Sequence, residues 1–126
     1  MANALRRPNQ VNSSHRAATE VQFQDQVEAL KHLLGAKLMA MTIGVNPSTL
    51  ERWLAGTTTP SLENEARVRT CYQVFELLKP VEESHTIRAW FMGMNPQLED
   101  RAPAELIAEG GLREVLTAAR AFRAGG

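Results

Sequence analysis

The chain has 126 residues, a length for one domain or two small, closely packed units. Apolar residues make up 44% and charged residues 22%, which supports a folded core and excludes disorder throughout. Fourteen Lys and Arg balance fourteen Asp and Glu, which excludes a strongly basic protein that coats nucleic acid without selectivity but leaves room for a DNA reader with one local basic face.

A single cysteine, Cys71, allows neither an internal disulfide nor a thiolate metal cluster, so a reducing compartment is expected. No apolar run approaches the ~20 residues that span a bilayer, and residues 1–19 are polar, without the apolar core of a secretory leader. The expected setting is cytoplasmic, with no membrane partner. Charge is uneven: residues 1–79 hold nine basic and seven acidic side chains, residues 80–126 five and seven. The two ends are therefore expected to do different work.

Residues 1–18 show no apolar period and read as a flexible arm carrying Arg6, Arg7 and Arg16, either solvated or within reach of a DNA backbone. A first helix is expected from Thr19, with Thr19 and Gln22 at capping-box spacing, Phe23, Val27, Leu30 and Leu34 on one face, and Gly35 as its stop. A second helix over 36–43 ends at Gly44. Asn46 is expected to cap a third over 47–55, with Pro47 at its first position and Gly56 after it. Ser61 caps a fourth helix, to residue 79, with Val68, Cys71, Tyr72, Phe75 and Leu78 inward. The stretch 80–84 breaks the pattern and marks a boundary between a unit at 19–80 and one at 81–126. Beyond it come a helix with Ile87, Trp90 and Phe91, a turn at Asn95-Pro96, a short helix from Pro103 to 108, and a last helix over 112–123 with Leu112, Val115, Leu116 and Ala119 inward. No segment alternates as a strand does, so the chain is expected to be all-α.

Residues 36–55 carry the strongest physical signal. Two short helices meeting at a sharp angle need a small residue at the crossing, which Ala40 supplies, and a turn residue that tolerates positive φ, which Gly44 supplies. Met39, Ile43, Val45, Leu50 and Trp53 sit where both helices bury apolar contacts. This is the spacing of a DNA-binding helix-turn-helix, whose second helix enters the major groove; an ordinary helical corner shares part of it. On a recognition helix at 47–54, Arg52 reaches guanine, and Ser48 and Thr49 reach base edges or phosphates. Glu51 accepts from cytosine or, preferably, completes a capping box with Ser48. Asn46 lies at the helix start, and Lys37 is either a phosphate contact or a solvated lysine. So few phosphate contacts imply salt-sensitive binding and a dimer on two half-sites.

In the C-terminal third, Trp90 reads as an apolar anchor with Leu98, Leu106 and Ile107 around it, and Asn95-Pro96 and Ala102-Pro103 fix two helix starts. The succession Trp90, Asn95, Pro96, Leu98, Arg101, Pro103, Leu106 and Ile107, then Gly110-Gly111 and a last helix, resembles the Xre/MbcA/ParS toxin-binding domain of bacterial antitoxins. That family carries an Xre-like helix-turn-helix upstream, which residues 36–56, Pro60 and the Glu65-Ala66-Arg67 helix resemble. The resemblance covers residues 20–126. Glu99-Asp100 stand where the family commonly has a Gly. It implies a type II antitoxin that neutralises a RES-domain toxin, which depletes NAD, and represses its own operon at operator DNA, as a homodimer or a larger hetero-oligomer with the toxin. Because relatives cover the toxin cleft with their C-terminal segment, the resemblance puts the inhibitory surface on Arg113, Arg120, Phe122, Arg123, Gly125 and Gly126. There guanidinium groups pair with acids of the toxin site and Phe122 inserts as an anchor; a frayed terminal helix is the plainer alternative.

Nothing in the sequence assembles a nucleophile, a base and an orienting partner, and His15, His32 and His85 lack metal-ligand spacing. No enzyme activity, cofactor or metal is expected. The other functional reading is a stand-alone repressor whose C-terminal module only dimerises.

Overall fold

A computed structural model describes residues 8–125, with side chains described from residue 18 onward. Arg6, Arg7 and Gly126 lie outside the described residues, as do the side chains of His15 and Arg16. Among the described residues seven α-helices follow in order: α1 (Pro8–Leu34), α2 (Ala36–Ile43), α3 (Pro47–Ala55), α4 (Leu62–Leu78), α5 (Ser84–Met92), α6 (Pro103–Glu109) and α7 (Leu112–Arg123), with a 3-10 turn at Pro96–Leu98 between α5 and α6. The described chain is all-α, as the sequence implies.

The first correction concerns α1. It starts at Pro8, so residues 8–18, expected in the arm, are helical, and Thr19 stands inside the helix and caps nothing at its start. Apolar periodicity in the sequence begins only at Phe23, which is why the sequence hid the first turns.

From Phe23 onward α1 is amphipathic, and Phe23, Val27, Leu30, Leu33 and Leu34 are buried. They meet α2, α3 and α4, and Phe23 lies edge-on to Trp53 of α3, with ring centroids 5.6 Å apart. Ser61 caps α4 as expected: its side chain accepts from the Asn64 N–H at 3.1 Å. Along α4, Val68, Cys71, Val74 and Leu78 are buried, with Tyr72 and Phe75 half-buried at the edge of the stripe. Burial pushes the Cys71 thiol up to about 12, so it packs as a small apolar residue and has no nucleophilic character at neutral pH.

The core does not stop at residue 80. α4 packs on α6 and α7, and α2 packs on α6, so one contiguous cluster runs from Phe23 to Ala119. Two left-handed residues shape the C-terminal half. Glu99 (φ 56) and Asp100 (φ 64) take the positive φ that a glycine would accept freely. Around them the Asn95 side chain accepts from the Gln97 N–H at 2.9 Å, and the Asn95 carbonyl accepts from Asp100 at 2.9 Å. The turn is then held from outside by Arg101, whose guanidinium makes a two-pronged bond to Glu109 and lies 3.6 Å from Glu105. Arg101 thereby ties the 3-10 turn to α6.

Candidate DNA-reading and partner-binding faces

The helix-turn-helix elements assemble as their spacing implies. Ala40 is buried where α2 meets α3, and Gly44 (φ 89) turns the chain while its N–H and that of Val45 both donate to the Ala40 carbonyl, at 2.8 and 2.9 Å. Leu38, Met39, Ile43, Leu50 and Trp53 are buried between them and the rest of the core. Thr42, also buried, satisfies its hydroxyl by donating to the Leu38 carbonyl at 2.8 Å.

On the outward side of α3, Asn46, Ser48 and Arg52 are exposed, Thr49 is half-buried, and Lys37 is exposed on α2. Two local expectations fail. The Asn46 side chain makes no capping bond, and only its carbonyl engages the helix, accepting from Thr49 at 2.9 Å. Glu51 closes no capping box with Ser48. It accepts instead from the Lys31 ammonium of α1, at 2.8 and 3.1 Å, which holds the Lys31 ammonium above its ordinary range. A residue twenty positions upstream supplies a stronger donor than a backbone amide, and single-helix patterning gives no sign of it. The Arg52 guanidinium is steadied by donation to the Thr49 hydroxyl at 3.1 Å, which leaves donors of its fork for another acceptor.

At the other end, Arg113, Arg120, Arg123 and Gly125 are exposed on and after α7. Phe122 lies near the end of α7. It is half-buried and lies edge-on to Trp90, centroids 6.4 Å apart, while Trp90 lies edge-on to Phe91 at 5.6 Å. Ala118 and Ala119 are buried, so α7 belongs to the core up to its last turn and only the chain from Arg123 onward is free of it.

Between α5, the 3-10 turn and α7 lies an open groove of about 290 Å³, walled by apolar side chains that include Trp90, Met94 and Phe122 and by the polar Asn95 and Gln97. No charged side chain lines it. Met94, which lines it, is 81% exposed, and Met92, outside the lining, is 54% exposed. The Trp90 indole N–H is buried without an acceptor, one of two buried side-chain polar atoms without a partner among the described residues. Leaving such a donor unmet costs about 1–3 kcal/mol. Sequence reading placed Trp90 as an anchor but missed the groove. The available signal was Met94, beside Gly93, an apolar residue that fits no inward face.

No protein-family model matches the chain. It is similar to the mycobacterial cidal antitoxin MbcA of Mycobacterium tuberculosis and of Mycobacterium bovis, 30% identical over 74 residues in each case, which is 59% of this chain. The match spans 66% of those relatives' length, slightly under two thirds. The fold is similar to a chain in the crystal structure of the M. tuberculosis MbcT-MbcA toxin-antitoxin complex, with a TM-score of 0.68 and 26% identity, over 81% of this chain and 94% of that one.

Proposed function

We propose that this chain, a homologue of the MbcA antitoxins, is the antitoxin of a type II toxin–antitoxin pair. It binds and inhibits a RES-domain toxin that depletes NAD, and represses its own operon through α2 and α3. The observation that carries the reading is the fold likeness across 94% of a chain from a toxin–antitoxin complex. The C-terminal end adds chemical support, because Arg113, Arg120 and Arg123 offer three exposed guanidinium groups for the acids of a toxin site. The chain has no catalytic role in this scheme and acts in the cytoplasm. A DNA-bound form is a dimer on two half-sites or a larger assembly with the toxin, with Arg52, Ser48 and Thr49 toward the bases and Lys37 toward phosphate.

Co-expression tests it. With the toxin alone, cellular NAD falls; with the full-length chain beside it, NAD holds; with a chain lacking residues 123–126, NAD falls again while the thermal melt stays near that of the full chain. NAD loss unaffected by the full-length chain would overturn the reading.

A further inference from the structure

We propose that Lys31 of α1 is a charge mask for the DNA-reading face: by occupying the Glu51 carboxylate it neutralises the one acid that α3 carries, so that Arg52 meets the DNA unopposed. This rests on the operator-binding reading above and assigns to DNA binding a residue outside the two helices of the helix-turn-helix. α3 holds one acid and one base, Glu51 and Arg52, and is neutral by itself. Ser48 and Arg52, four residues apart, share its outermost face, opposite the buried Leu50 and Trp53, and Glu51 lies on the flank beside them. A bare carboxylate there would repel the phosphates that Arg52 attracts. The Lys31 ammonium instead closes on both Glu51 oxygens, at 2.8 and 3.1 Å, across twenty positions of sequence. The pair is neutral, and the Arg52 charge acts alone.

The bridge is not what holds α3 in place. Leu50 and Trp53 are buried, Phe23 lies edge-on to Trp53, and the Gln24 side-chain amide donates to the Trp53 carbonyl at 3.2 Å. These contacts fix α3 against α1 without Lys31. The Lys31 side chain is 30% exposed and that of Glu51 58%, and an ion pair so open to water contributes little to stability. What it changes is the local field, which a polyanion reads.

The test measures binding of the full-length chain to a duplex of the promoter region upstream of its own reading frame. Lys31→Met is expected to weaken binding about tenfold at low salt, with a gap that narrows as salt rises and an unchanged melting temperature. Adding Glu51→Gln to Lys31→Met is expected to restore the wild-type affinity, because the carboxylate that needed masking is gone. Lys79→Met, which opens a similarly exposed pair with Glu76 on α4, is expected to bind as the wild type does. A double variant as weak as Lys31→Met would make Lys31 a direct phosphate contact or a structural residue and overturn the proposal. Wild-type affinity in Lys31→Met would overturn it while leaving operator binding standing. Weaker binding by Glu51→Gln alone would make Glu51 a base reader and overturn it as well. A wild-type chain that binds no duplex would overturn the operator-binding reading and the proposal with it.

Discussion

On α3, Glu51 is held by Lys31 and Arg52 is steadied by Thr49. Beside α7, the Trp90 indole has no acceptor and Met92 and Met94 stand in solvent. The first face has its polar groups largely arranged within the chain. The second leaves apolar side chains exposed and a buried donor unmatched. The difference teaches that two surfaces of similar helical make-up differ in what each leaves unsatisfied. The proposed DNA binding at α3 is expected to fall with salt.

The sharpest way to break this comparison is at Trp90, which the account places in both core and groove. Trp90→Ala is expected to destabilise the fold by about 3–5 kcal/mol, read by denaturant unfolding, because it empties a buried site and removes two ring contacts. An unchanged unfolding curve would make Trp90 a surface residue. Next, Arg52→Ala should weaken operator binding by about 1–3 kcal/mol in a salt-matched titration and leave the toxin complex intact. A matching loss of toxin affinity would merge the two faces. Glu99→Gly should raise stability by about 0.5–1 kcal/mol, since relief of left-handed strain outweighs the added freedom of the unfolded chain. A lower melting temperature would mean that the Glu99 side chain contributes more than its backbone costs.

The smallest effect is that of pH on the Arg101 clamp. Hydrogen bonds from Arg101 hold the Glu109 carboxyl below the usual carboxylate range. A depressed folded value makes the ionised form the stabilising one, so the contribution is present above about pH 4.3 and fades as pH falls through the folded value. The melting difference between wild type and Glu109→Gln should therefore shrink toward zero on acidification. A difference that persisted in acid would take the ion pair out of the account.

Local patterns in the sequence carried the helices from Phe23 to Arg123 because each buries a stripe at helical spacing, and Ser61, Gly44 and Pro103 mark their ends with residues whose backbone chemistry suits those positions. The start of α1 was not legible, because residues 8–18 have no apolar face to be read. The Lys31–Glu51 bridge was hidden for another reason: it joins two helices, and capping rules see only one. The same limit applied to Phe122, whose helical position is plain but whose stack on Trp90 depends on how α7 returns to α5. Surface features built from three separate elements, as the groove is, leave only indirect traces in a linear sequence.

The most direct measurement is an affinity pull-down of the tagged full-length chain from its native host, with partners identified by mass spectrometry. The account predicts a stoichiometric RES-domain toxin. Recovery of the chain alone, or with DNA only, would contradict it and point to a stand-alone repressor whose C-terminal module dimerises.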